Sequence, residues 1–248
     1  MSTIFDLLVA FEIHSVERIR SILDAGFDVR TPVKGKAPIA HLIEMYYRSD
    51  AFPDCVRLLL DRGAVLEDPV LRPVFLNDVD ELEAAIRANP ALLQHRTSLA
   101  CAFTPLLGVT LLHVAAEYGH LEVARKLIEL GAEVDARAAT DEFGFNGHTP
   151  LFHTVNSNEN RSAPVMNLLL DAGARPDILL PGITWGQGFE WETLCFDVTP
   201  ISYAQLGLLR QMQRTEADTY ANVATLLRAA KRSVPSFTNV PNRYLASP

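Results

Sequence analysis

The chain has 248 residues, 48% of them hydrophobic and 21% charged, with a formal net charge of −8 and an isoelectric point near 5.4. This is the composition of an ordinary folded soluble protein. Its acidic balance argues against nucleic-acid binding, which rests on clustered Lys and Arg. The three cysteines, Cys55, Cys101 and Cys195, are far apart and form no CxxC pair, so neither a disulfide framework nor a zinc site is expected and a reducing, cytoplasmic setting fits. No apolar run approaches the roughly 18 residues that span a bilayer, so no membrane contact is expected. The start, MSTIFDLLVAFEIH, carries Asp6 and Glu12 and no basic leader, and does not read as a signal peptide.

From Phe5 to Val29 two helical apolar patterns follow one another, Leu7/Leu8/Phe11 and Val16/Ile19/Ile22/Leu23. His14-Ser15 marks the break, and Ser15 is a helix start. Gly26 supplies the left-handed backbone that ends the second helix. Ala37-Pro38-Ile39 opens the next pair, with Pro favoured at a first helical position because its missing N–H would be unpaired there. That pair closes at Leu59-Leu60 and Gly63-Ala64, and is lengthened by YYRSDAFPD, where Pro53-Asp54 opens the second helix. The stretch DPVLRPVFLNDVDELEAAIRANPALL keeps a two-helix pattern, with Val79/Leu82/Ile86 on one face. It ends on Asn89-Pro90, where Asn is expected as a left-handed cap and Pro as the block to continuation. Gln94 to Leu107 is inserted after it and reads as an extended loop or hairpin.

Gly108 to Asp135, GVTLLHVAAEYGHLEVARKLIELGAEVD, is the most regular unit. Thr110-Leu111-Leu112-His113 opens a short helix, Gly119-His120 breaks it, and Leu121 to Leu130 forms a second helix stopped by Gly131-Ala132. This resembles an ankyrin repeat, with Leu111 in place of the usual Pro. A unit of this kind cannot bury its own apolar face, so about three or more must stack. A fifth unit follows from Thr149-Pro150-Leu151 to Gly173-Ala174, lengthened by the polar NSNENRSAP. A sixth starts at Thr199-Pro200-Ile201. Its first helix is expected to extend through LGLLRQMQR, with Leu206, Leu209 and Met212 inward, and Thr215 with Asp218 resembles a capping box.

The expected fold is therefore an all-α ankyrin-repeat solenoid of about six helix-turn-helix units with projecting finger loops and a long inter-repeat β-hairpin. The units lie near 5–35, 36–67, 68–107, 108–147, 148–197 and 198–230. They form one domain, 1–232, followed by a Pro- and Ser-rich tail, 233–248.

The resemblance implies that His113 is structural, bonding neighbouring hydroxyl and backbone groups, and that His120 at the inter-helix turn is explained in the same way. His148 and His153 are five residues apart, a spacing that does not share a helical face. With Asp141 and Glu142 they form no recognised ligand spacing, so no metal site is expected. GITWGQG is no phosphate loop and no GxSxG elbow is present, so no catalytic residue and no cofactor is assigned.

The irregular stretches are Ala138–Gly147 and Ile178–Val198. The second contains both tryptophans, and ITW-GQG-FEW reads as a β-hairpin of unclear register. The resemblance implies a protein partner, bound through the concave face and the finger loops Asp141–Asn146 and Thr184–Trp191. The candidate contact residues are Phe143, Phe145, Trp185, Phe189 and Trp191, with Glu190 and Glu192 available to a basic group. The aromatic residues could equally cover the core of the stack. An alternative is a small-molecule-binding protein or enzyme with a pocket under the 178–198 hairpin, using His153, Glu190 or Asp197. Self-association through the same loops is a third reading, with a monomer the expectation.

Overall fold

The computed structural model describes residues 4–100, 106–186, 190, 192–205 and 215–234. Helix pairs stack in chain order: α1 Ile4–Glu12 with α2 Val16–Asp24, α3 Pro38–Glu44 with α4 Phe52–Asp61, and α5 Arg72–Phe75 with α6 Val79–Ala88. They continue with α7 Leu111–Tyr118 against α8 Leu121–Glu129, a 3-10 turn Pro150–His153 before α9 Ala163–Asp171, and α10 Pro200–Ala204 against α11 Glu216–Ala229. Within the row, α7 packs on α5 and on the 150–153 turn, while α8 packs on α6 and α9. The stack fits an ankyrin-type solenoid.

Helix α7 explains why such a unit cannot stand alone. Leu111 to Ala116 and Tyr118 are all buried, because the helix has a neighbour on both sides. Ala115 and Ala116 keep those neighbours close. Its caps are local: Gly119, at φ 70°, takes the left-handed conformation that ends the helix. Helix α8 buries only Val123, Ala124 and Leu127, one stripe of an amphipathic helix, and each fully buried large aliphatic side chain there contributes about 1.5–3 kcal/mol. The core runs along the stack through Phe11, Phe52, Phe75 and Phe152. Phe52 meets Phe75 at 5.9 Å and Tyr118 at 4.7 Å, ring to ring, so one aromatic cluster spans three successive pairs.

Other caps follow from their sequences. Ser15 accepts from the Arg18 amide at 3.4 Å, Asp78 from Glu81 at 2.9 Å and Thr215 from Asp218 at 3.0 Å. Asn89 departs from expectation. Its φ of −142° is extended, and its side chain accepts from the Ala91 amide at 3.3 Å, capping the 3-10 turn Pro90–Gln94 rather than closing α6 in a left-handed conformation.

The all-α expectation is amended by two small antiparallel sheets. Strand β1 Thr97–Leu99 pairs with β2 Leu106–Val109, within the Gln94–Leu107 insertion and its edge. Strand β3 Leu180–Trp185 pairs with β4 Thr193–Val198, with Ile183 opposite Cys195 and Trp185 opposite Thr193. The first helical element of the fifth pair is a single 3-10 turn, not an α-helix. Leu206, Leu209 and Met212, and the tail from 235 on, lie outside the described residues.

Candidate functional site

The loop Ala138–Gly147 is built around Asp141. Its Oδ1 accepts from the amides of Phe143 at 3.0 Å and Phe145 at 2.9 Å, and its Oδ2 accepts from Asn146 Nδ2 at 3.2 Å. The Asp141 amide donates to the Phe145 carbonyl at 3.1 Å, closing the loop on itself. An Asp side chain that bonds backbone two residues on is the mechanism by which Asp forms turns. The result fixes two phenylalanines on a tight finger.

The finger does not project freely; it joins the two sheets. On one side the Ala139 amide donates to Leu107 O of β2 at 2.8 Å. On the other, the Asn146 amide donates to Gly182 O of β3 at 2.8 Å, and Asn146 Oδ1 accepts from the Thr184 amide at 3.0 Å. Asn146 sits at φ 68° and is buried, so its side chain and its unusual backbone both serve this contact. Two glycines permit the approach. A Cβ on Gly108 would stand 2.7 Å from Ala139 Cβ, and one on Gly182 would stand 2.7 Å from Phe145 Cδ1.

This docking creates an aromatic row that crosses from finger to hairpin. Phe143 and Phe145 have ring centroids 6.5 Å apart, and Phe145 meets Phe196 of β4 edge-on at 5.8 Å. Phe145 is half-buried, seated over Gly182, and its neighbours are open to solvent: Phe143 is 74% exposed and Phe196 66%. Large apolar side chains exposed side by side mark interaction surfaces in soluble proteins.

The sequence model of ankyrin repeats matches residues 84–179 in three copies. Residues 84–179 are ankyrin repeats. Two curated relatives are from Arabidopsis thaliana. The ADP-ribosylation factor GTPase-activating protein AGD4 is 31% identical over 40% of this chain, and AGD2 of the same description is 38% identical over 39%. The chain covers only 12% and 11% of those proteins' lengths, so the likeness is one of ankyrin repeats and carries no activity with it.

In the ankyrin segment the histidines are load-sharing parts of the stack. His113 Nδ1 accepts from the Thr110 amide at 3.2 Å and lies 2.8 Å from Thr110 Oγ1, so its proton is on Nε2, which donates to the His148 carbonyl at 3.1 Å. That carbonyl also accepts from the Ala138 amide at 2.9 Å, which ties the helix start to the base of the finger. His120 Nδ1 donates to Val74 O at 2.7 Å, and burial pulls its pKa down to about 4. The roles expected of both residues hold. His148 and His153, which share no helical face, are nonetheless neighbours, with rings 4.6 Å apart and His113 6.0 and 5.9 Å from them. The chain turns between them before the one-turn 3-10 helix begins, which helical spacing could not reveal. Among the described residues no group of three or more His, Cys, Asp or Glu is arranged to hold a metal ion.

The remaining expected residues separate. Trp185 is only 6% exposed and packs in the core, so it is buried rather than presented. Phe189 and Trp191 lie outside the described residues, while Glu190 and Glu192 are exposed beside them. His153 is buried and donates from Nδ1 to Glu117 at 2.9 Å, whereas Glu190 and Asp197 stand exposed on the hairpin. A cavity of about 1060 Å³ does open elsewhere, between α3, the Val65–Leu71 segment and the β1–β2 hairpin, over a floor that includes Ile39, Leu71 and Phe75. Burial raises the thiol of Cys55 to about 12 and that of half-buried Cys195 above its usual value, which favours the protonated thiol at both. Cys101 lies outside the described residues. Sequence reasoning missed Phe196, which becomes part of the row only because Asn146 pins the finger to β3.

Proposed function

We propose that the chain is a non-enzymatic scaffold that holds a protein partner against the Phe143–Phe145–Phe196 row, with the finger loops and the concave face of the stack extending the contact. Ankyrin repeats are in general protein–protein interaction modules, and that is the setting of the proposal. The observation that carries it is the row itself: Phe143 on the finger and Phe196 on β4 are open to water, with Phe145 between them on a finger whose backbone is hydrogen-bonded to itself and to both sheets. A preorganised aromatic anchor loses little conformational entropy on binding, and aromatic residues are enriched in interfaces.

The test is a double substitution, Phe143→Ala with Phe196→Ala. Both rings are exposed, so the folded stack is expected to keep its helical circular dichroism and its thermal midpoint. Partners retained by the unaltered chain in affinity purification from its native source should be lost from the variant. Retention of the same partners at the same yield would refute a role for the row.

A further inference from the structure

The charge around the aromatic row says what its partner brings. Ala138–Gly147 and Ile178–Val198 together carry Asp141, Glu142, Glu190, Glu192 and Asp197 and contain no Lys or Arg. Asp141 is occupied by the finger's own amides. Glu142 directly precedes exposed Phe143, and Asp197 directly follows exposed Phe196. Both carboxylates are exposed, and neither has an ion-pair partner among the described residues. Each exposed ring is thus followed or preceded in the sequence by an exposed carboxylate that forms no ion pair among the described residues.

Resting on the scaffold reading above, we infer that the occupant of this row is a basic, arginine-bearing peptide segment of the partner protein. A guanidinium is planar and weakly hydrated; it stacks on an aromatic face while its edge donates to a carboxylate, a combination an ammonium matches less well. The chain builds the same arrangement in its own interior. Arg48 lies 4.3 Å over the ring of Tyr118 and donates to the neighbouring Glu117 at 2.9 Å. At the surface, Phe143 follows Glu142 and Phe196 precedes Asp197 in the sequence, so an exposed ring and an exposed carboxylate are available at each end of the row. A second copy of this chain, with its net charge of −8, or a nucleic acid would bring net negative charge to an acidic surface.

The experiment uses the full chain and three labelled peptides of equal length, alternating Arg, Lys or Gln with Ser and Leu, followed by fluorescence anisotropy at low and high salt. The Arg peptide is expected to bind, the Lys peptide several-fold more weakly, and the Gln peptide not measurably. Salt should weaken the Arg complex. Glu142→Gln with Asp197→Asn should weaken it about tenfold or more. That pair leaves the fold intact, because Glu142 is exposed and Asn tolerates the φ of 50° at position 197. Phe143→Ala with Phe196→Ala should abolish binding. Should the Gln peptide bind as tightly as the Arg peptide and respond to the Phe pair, the basic-segment inference falls while the scaffold reading stands. Should the Arg peptide fail to bind, or bind equally well without the two rings, the inference falls, and the scaffold reading is then decided by the partner capture alone.

Discussion

Arg48 and Glu117, far apart in the chain, are paired at 2.9 Å in the interior, joining the loop between α3 and α4 to helix α7. The same carboxylate accepts from His153 Nδ1 through its other oxygen at 2.9 Å, so one side chain of the fourth helix pair holds the second and the fifth. The loop is further tied by Arg48 donating to the carbonyls of Met45 and Tyr47, and the end of α3 by Tyr118 Oη donating to Ile43 O at 2.7 Å. At its rim Asp50 accepts from Arg161 at 2.6 Å, a residue of the loop of the fifth pair, which is also lengthened. In a regular stack each unit touches only its neighbours. Here two lengthened inter-helix loops reach across the units between them.

This pairing makes a first prediction. Glu117→Ala strips Arg48 and His153 of a shared, largely buried partner, and removing one member of a fully buried pair costs about 3–5 kcal/mol, an upper bound here. Urea unfolding should show that loss. Arg48→Met alone should cost comparably, and the double variant Arg48→Met with Glu117→Leu should cost clearly less than the sum. Additive losses would show that the two side chains act independently.

Acid should unfold the protein earlier than its carboxylates alone require. Burial holds His14 and His120 down to about 4, and holds His113 and His148 well below 6.5. His148 is lowered further by the adjacent His153 and His113. The unfolded chain binds these protons near pH 6.5 and the folded chain does not, so stability is complete above about 6.5 and falls as pH drops from there toward 4 and below. Urea midpoints measured across that range should decline with acid. A flat profile between pH 6.5 and 4.5 would contradict it.

His148 offers a sharper version. Neither ring nitrogen has a hydrogen-bond partner, although the ring is fully buried. A buried polar atom without a partner costs about 1–3 kcal/mol. His148→Leu removes both atoms at similar volume and leaves the backbone carbonyl that serves His113 and Ala138. The variant should be as stable as the parent or more so at neutral pH, with a shallower acid slope. A large loss of stability at neutral pH would mean that the imidazole is held by something else.

The parts of the fold that were legible in the sequence are those fixed by neighbours in the chain. Thr110 to His113 and Gly119 announce helix α7 because cap, histidine and left-handed glycine act within a few residues of one another. Parts that depend on where distant segments meet were not legible. Arg48 finds Glu117 only because a lengthened loop has the reach. Trp185 and Phe196 lie on a hairpin whose register decides which aromatic is core and which is surface, and that register is set by backbone pairing rather than by a clear alternation of side chains. The sequence pointed to Phe143 and Phe145 because the repeat is interrupted there, but gave no sign that their loop would be clipped to β3.

Trp185 can be tested as a core residue. It is buried beside the hairpin's pairing with Thr193. Truncating a buried Trp to Ala typically costs about 3–5 kcal/mol. Trp185→Ala should lower the thermal midpoint and weaken near-ultraviolet dichroism, in contrast to the exposed pair Phe143 and Phe196. An unchanged midpoint would return Trp185 to the surface.

The clip itself is the last point of test. Asn146 donates its amide to Gly182 and accepts from Thr184, while its Nδ2 donates to Asp141. Asn146→Gly keeps the left-handed backbone, at φ 68°, and removes only the side-chain bonds. Losing them leaves the Thr184 amide without its acceptor and should cost about 1–3 kcal/mol locally. Hydrogen exchange should therefore accelerate at Thr184 and across the finger, with α7 and α8 unaffected. Because Phe145 is seated over Gly182 only while the finger is clipped, the same variant should loosen the aromatic row and weaken partner binding without unfolding the stack. Unchanged exchange at Thr184 would show that the finger is held to β3 by its other contacts, and that Phe143 and Phe196 keep their places without Asn146.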